Sequence, residues 1–389
     1  MKNGSIIVIL AFTLLFAGCG IANDTPGTAP DNSSEAVNSS IVENTSSEVL
    51  EQVSQKPVQT QIVKQLDENL RVDAQAVYLP VSSVNIMGVN GLAIDVEKAK
   101  HDYLKDAPIV DEYIGEDSTF FRTKNASISW SSSGIHYSTD RSDSILAVCI
   151  FQEMNPDYNL DVYPQKDLPF MSSTEAFSKV KQGLEAFGIV VADSYDYRAL
   201  DEKALKEQET KLKSDPENAY LFQDKEGNAY GGVGAEHEGY FFSLHMTENG
   251  IPVCNESVGS FETMSMGGTT IEVIYSVNGF EYISARSIYS MANIYEENAS
   301  IISIDKAISS LQEKYSTIIL TGDTIVKSIS LEYLLSPCDD GSYSQLLKPV
   351  WVFEVEQHGT QLNKQSKKQE EYTRQLYTLI DAVTGDEII

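Results

Sequence analysis

Ser303-Ile-Asp-Lys-Ala-Ile-Ser-Ser-Leu-Gln-Glu-Lys-Tyr315 decides the fold. It reads as an amphipathic helix with Ser303 at the N-cap, where a hydroxyl can accept from a free backbone N–H of the first turn. After it the period changes. Ile325 to Leu335, Pro349-Val-Trp-Val-Phe-Glu-Val355 and Tyr372 to Val383 alternate apolar and polar residues, as half-buried strands do. Thr384-Gly385-Asp386 makes a final turn. One helix followed by antiparallel strands is an α+β layer.

The same scheme stands upstream. Ser172-Ser-Thr-Glu175 precedes an apolar stripe at Ala176, Phe177, Val180, Leu184 and Phe187, and Gly188 sits where a helix should stop. Val190 to Leu200 is extended, and Asp201 to Lys213 is charged and helical. Leu221 to Val233 turns at Lys225-Glu-Gly-Asn228. Gly239 to Met246 alternates like a strand with one exposed face, and Gly250-Ile-Pro-Val253 closes the unit. Thr269 to Val277 and Phe280 to Ser284 flank the turn Asn278-Gly279. The two stretches form an internal repeat of capped helix, strand, hairpin and closing strands. Earlier still, Val84 to Ile94 reads as strand and turn, and Asp95 caps a short helix to Leu104. Ala126 to Thr139 holds two strands around Ser133-Gly134. The continuous apolar run Ile145 to Phe151 reads as a buried strand that carries Cys149 as a buried thiol.

The chain has 389 residues, with 28 Lys and Arg against 57 Asp and Glu, so its formal charge is −29. Such a surface repels nucleic acid and anionic headgroups, and no nucleic-acid partner is expected. Hydrophobic residues at 42% are enough to build a core. Besides Cys19 there are three cysteines, an odd count that cannot pair fully. A single bridge between Cys254 and Cys338 is the alternative to three thiols.

At the N-terminus, Ile6 to Phe16 is an apolar run of eleven residues behind Lys2. It is too short to span a hydrocarbon core of about 30 Å and fits the h-region of a signal peptide. Phe16-Ala17-Gly18-Cys19 then resembles the lipobox of bacterial lipoproteins, with Phe16 where Leu is commonest. The resemblance implies cleavage before Cys19 and a diacylglycerol thioether on its sulfur, and two acyl chains anchor a protein stably. Gly20 to about Gln61 is rich in Ser, Asn, Thr and Glu without apolar periodicity, and reads as a disordered tether. Its r.m.s. span is about 35 Å.

Ser303 to Tyr315, Val350 to Val355 and Ile380-Asp-Ala-Val-Thr-Gly-Asp-Glu-Ile388 together resemble a PepSY-type module over about residues 302–389. More loosely, the order of motifs is similar to Gram-positive lipoproteins and to the YycH/YycI accessory proteins, which act on a sensor kinase. The resemblance implies a fold and a regulatory role, and carries no catalytic residues. The final motif has its own mechanics: Asp381 can bond back to the turn, and Gly385 supplies a positive φ.

No catalytic signature stands out. Glu236-His237-Glu238 with His245 is the densest imidazole cluster, but its spacing of eight differs from the i, i+4 pair of a helical zinc site. Gly231-Gly-Val-Gly234 lacks the Lys and the strand–helix context of a phosphate loop. Ser265-Met-Gly-Gly268 reads as a hairpin entrance. Asn155, Asp157 and Asp161 lack the Gly and terminal Glu of a calcium loop. Lys364, Lys367, Lys368 and Arg374 form a local basic patch that reads as a polar hairpin tip. Trp130 and Trp351 read as core.

The expected organisation is a signal peptide over 1–18, a linker over 19–61, an α+β domain over 62–255 and a PepSY-like α+β domain over 256–389. The expected function is a non-enzymatic binding or regulatory module, without cofactor or metal. It would be held on the extracytoplasmic face of the cell membrane through lipidated Cys19, and its partner would be another envelope protein or peptide. A solute-binding lipoprotein is the alternative, and an envelope hydrolase a more distant one.

Overall fold

The computed structural model describes residues 56–151, 158–223, 232–255, 268–320, 322–362 and 367–388. The signal peptide, Cys19, most of the linker and the turns expected at Lys225–Asn228 and Ser265–Gly268 therefore lie wholly or largely outside the described residues.

Three strands open the described chain: β1 Val58–Asp67, β2 Leu70–Tyr78 and β3 Ser83–Asn90. Helix α1, Val96–Leu104, leads into β4 Asp111–Ile114, β5 Ser118–Arg122, β6 Ala126–Ser131 and β7 Gly134–Thr139. The middle of the chain holds α2 Asp140–Leu146, α3 Ser173–Glu185, β8 Val191–Leu200 and α4 Glu202–Lys213. Then come β9 Gly239–Glu248, β10 Ile251–Pro252, β11 Thr270–Ser276, β12 Gly279–Arg286 and β13 Ser290–Ser300. Helix α5, Ile304–Ser316, leads into β14 Thr324–Pro337, β15 Gln345–Leu362, β16 Gln369–Asp381 and β17 Glu387–Ile388. Among the described residues no helix is long and apolar enough to cross a membrane.

The fold is mixed α+β, with two sheets and helices packed on them. The first sheet runs β1-β2-β14-β15-β16-β17, and β3 joins the start of β15 and carries β13. The second runs β8-β9-β11-β12-β7-β6-β5-β4, with β10 folded onto the end of β9. One pairing departs from the expected antiparallel build: β2 and β14 are parallel, with Val72 beside Val326 and Ala76 beside Ile329.

The expected boundary at 255/256 does not hold. Strands from both sides of it share each sheet: β1, β2 and β3 sit with β14–β17, and β11 and β12 sit with β4–β9. Val253 bridges to Tyr333, and Cys254 N donates to Tyr333 O at 2.7 Å, tying the second sheet to the first. The main core draws Val72, Phe121, Phe242, Ile283 and Phe353 from both sheets, and Leu311 from α5. Alternation along a strand says which face is wet and leaves its partner open. The linker also ends earlier than expected, because β1 begins at Val58. Its residues are nearly all exposed, so it carries no apolar rhythm, and its backbone bonds to β2 define it.

The repeat is threefold. Helix α3 is followed by the meander β8-β9-β11-β12, and α5 by β14-β15-β16-β17. The same unit occurs a third time as α1 with β4-β5-β6-β7, hidden in sequence because β4 is short and fully exposed. In the second sheet the last strands of two units, β7 and β12, pair antiparallel from Ser138↔Tyr282 to Gly134↔Arg286. Two meanders joined last strand to last strand bring α1 and α3 together. Tyr103 OH donates to Gly183 O at 3.1 Å, and its ring stacks on Phe187 at 4.6 Å.

Local chemistry explains the helix starts. Ser303, Ser172, Asp201 and Asp95 each accept from the backbone N–H three residues on. At the C-terminus Asp381 Oδ1 accepts from Val383 N at 2.7 Å and Thr384 N at 2.9 Å, and Gly385 has φ 84°. Ile145–Phe151 is not a strand. It finishes α2, whose start is held by a Thr139–Ser142 capping box, and then runs on irregularly. Its apolar side chains fill a second core with Leu205, Phe241, Ile274 and Tyr282. That core covers the opposite face of β9 at its start, which is why Gly239–Phe242 are buried on both faces while the rest of the strand alternates. Cys149 is buried as expected, and burial pushes its thiol up to about 12. Cys149, Cys254 and Cys338 are unbridged.

Candidate functional site

Where α1 and α3 converge over the β7–β12 joint, an open cleft of about 1210 Å³ enters the second sheet. Its wall and floor carry Tyr103, Tyr137, Tyr275 and Phe280. Phe280 lies so close to α3 that a Cβ on Gly183 would sit 2.4 Å from its ring, so glycine permits this approach. Burial pushes the Tyr137 hydroxyl up to about 12, with the Glu281 charge adding to the rise and Arg141 opposing it. Burial, with help from Asp102, likewise raises Tyr103. Both phenols are neutral across the physiological range.

Under the cleft lies Glu281 on β12, with no exposed surface. Its Oε1 accepts from Arg141 Nε at 2.8 Å and from Ser276 Oγ at 2.6 Å, and its Oε2 from Thr139 Oγ1. Asn278 Nδ2 is at 3.5 Å from the same Oε1. A buried carboxylate needs such a set of donors, since an unpaired buried charge is costly. The cluster locks the β11–β12 turn to the start of α2, and so fixes the cleft rim. Arg141 spends only Nε on Glu281. Its terminal nitrogens donate to no described residue, and its side chain stays 41% exposed.

Replacing Glu281 by Ala orphans four donors. We expect a loss of about 2–4 kcal/mol, at or below the usual figure for a broken buried pair because Arg141 keeps some water. The urea midpoint measures it, and a shift equivalent to less than about 0.5 kcal/mol would mean that the network is not stabilising.

The rim reverses the balance of the chain. Acids outnumber bases by 57 to 28 overall, whereas Lys105, Lys124, Arg141 and Lys179 line the cleft against Asp102 and Asp140. Counting Glu281 beneath Arg141 still leaves the bases ahead. Lys124 and Lys179 form no ion pair or hydrogen bond with a described residue.

None of the candidate chemical residues read from the sequence lines this cleft. His237 is buried in a short turn, where its Nδ1 accepts from Gly234 N at 3.0 Å. His245 lies on β9 with Asn255 at 3.3 Å. His101 bonds Asp106, and His358 bonds Glu356 and Thr373. Burial lowers His136, which packs edge-on against Tyr282. Asp161 lies 3.8 Å from Arg198, while Asn155 and Asp157 are outside the described residues. Of the basic patch, Lys364 is outside too, and Arg374 lies over the Tyr372 ring at 4.5 Å. Trp130 packs on Phe121, and Trp351 is core. The cleft residues escaped sequence reading because they come from separate elements. Arg141 and Glu281 are 140 positions apart. In the alternating run Gly279-Phe-Glu-Tyr-Ile-Ser284, Glu281 looks like an ordinary outward residue.

No family model matches the chain, and no curated protein does. Among solved structures, the fold is similar to the crystal structure of an uncharacterized protein from Eubacterium rectale ATCC 33656. The TM-score is 0.60 at 18% identity, over 86% of this chain and 96% of the other. At that identity the likeness concerns the fold.

Proposed function

We propose that this protein is a lipid-anchored module on the extracytoplasmic face of the cell membrane, binding another envelope protein or peptide without catalysing a reaction. The observation that carries the binding role is the cleft: a preformed concavity with a tyrosine-rich wall and lysines left without partners among the described residues. The lipobox-like Phe16-Ala17-Gly18-Cys19 supports the anchor. The PepSY-type motifs of residues 302–389 support a regulatory role over a solute-binding one. So do two sheets that are antiparallel except at β2–β14, since a solute-binding build of α/β lobes places parallel sheets around a cleft.

Replacing Cys19 by Ala removes the acyl acceptor. We expect the protein to move from the membrane fraction to the soluble fraction or medium on cell fractionation. Unchanged membrane partition, or a mature N-terminus elsewhere without acyl mass, would end the anchoring proposal. Crosslinking in intact cells tests the binding role: one reproducibly enriched envelope protein is expected, and none would overturn it.

A further inference from the structure

We propose that the cleft between α1 and α3 takes an acidic peptide segment, with its carboxylates on Lys124, Lys179 and Arg141 and its apolar side chains against the tyrosine wall. The inference rests on the binding role proposed above and narrows its ligand.

Three observations converge. The first is the local charge reversal. Lys105 ends α1, Lys124 sits in the β5–β6 turn, Arg141 opens α2 and Lys179 lies on α3, so four elements each bring one cation to a single cavity of a chain with net charge −29. Bases gathered by chance on so acidic a surface would be expected to find carboxylates, as Lys181, Lys206 and Lys213 do. Lys124 and Lys179 find none among the described residues.

The second is the state of Arg141. Its Nε is held by buried Glu281, which sets the plane of the guanidinium while leaving the terminal nitrogens to donate. A guanidinium immobilised on one edge and open on the other is prepared for two parallel bonds to a carboxylate.

The third is size and shape. About 1210 Å³ exceeds the usual 300–1,000 Å³ of a small-molecule pocket, and the cavity is open to solvent. It runs to Val110, beside the edge strand β4, where Val110, Tyr113 and Ile114 are all more than half exposed. Separated cations, an aromatic wall and an apolar margin suit a chain with carboxylates and apolar groups spaced along it. A compact polyanion would use only one part of that surface.

The test uses the acylation-free chain beginning at residue 20 and a fluorescent acetylated octapeptide alternating glutamate and tyrosine. Anisotropy is expected to show saturable binding, weakened at least about tenfold in the Lys124→Glu, Lys179→Glu double variant. Both lysines lack partners among the described residues, so its thermal melting should match the parent and exclude misfolding. Arg141→Lys should weaken binding too, since an ammonium cannot present the fork. Three results overturn the proposal: equal binding of an octapeptide alternating glutamine and tyrosine, full affinity in the double variant, or displacement by citrate at the peptide's own affinity. Crosslinking the double variant in cells separates this inference from its parent. A partner captured equally by both forms leaves the binding module standing and removes the cleft as its site. Capture by neither form removes the binding module itself.

Discussion

Raising the pH above about 10 is expected to unfold this protein steeply, with a midpoint between about pH 10 and 12. Tyr103, Tyr137, Tyr163, Tyr289 and Tyr333 are all at most 5% exposed, and burial raises each hydroxyl, Tyr137 to about 12 and the others further. Burial raises the Cys149 thiol to about 12 as well. In the unfolded chain these groups ionise near about 10 for Tyr and about 8.5 for Cys. Their folded values are raised, so the stability they contribute is complete below the unfolded values and is lost as pH climbs toward the folded ones. Each group then costs about 1.4 kcal/mol per pH unit, because the unfolded state has released a proton that the folded state keeps. Six such groups together remove about 8 kcal/mol per unit, against a total stability usually of about 5–15 kcal/mol. Tyrosinate absorbance and circular dichroism should therefore change together in one cooperative step. Gradual ionisation with the fold intact to pH 12.5 would refute the account. Tyr289 adds an internal control. Its buried hydroxyl has no hydrogen-bond partner among the described residues. Tyr289→Phe should thus be neutral or stabilising at pH 7 and should move the alkaline midpoint upward.

The second large effect concerns Trp351. Its indole is 2% exposed at the centre of β15, meets Tyr78 edge-on at 5.5 Å, and donates Nε1–H to Ile302 O at 3.1 Å. That bond joins the residue before the cap of α5 to the sheet on which α5 packs. Trp351→Ala removes the ring, leaves a cavity and orphans the carbonyl, for about 3–5 kcal/mol from the cavity and about 1–3 more from the lost bond. Trp351→Phe keeps much of the volume and should cost roughly 1–3 kcal/mol. Equilibrium urea unfolding followed by circular dichroism measures both. The other tryptophan, Trp130, sits on β6 of the second sheet, so its fluorescence in the variant reports whether that sheet unfolds with the first. A cost for Trp351→Ala near 1 kcal/mol would mean that the strand relaxes around the gap.

What the sequence by itself determined here is local. The helices over 173–185 and 304–316 were legible because a cap and an apolar stripe act within three or four residues of each other, the one over 96–104 from its Asp95 cap, and the one over 202–213 from its run of charged residues. So was the turn in which Asp381 accepts from Val383 and Thr384. The one apolar run misread, Ile145–Phe151, has no period, and length alone does not separate a buried strand from the end of a helix. Only the tertiary structure decided which strands meet. Nothing in Val72 or Val326 announces their parallel neighbours, and nothing in β7 or β12 announces the joint that brings two helices together. The cleft follows from that joint, and so does Glu281, whose burial depends on donors over a hundred positions away. The physical reason is range: capping and periodicity act between near neighbours along the chain, whereas sheet pairing and a convergent binding surface depend on which distant segments condense together.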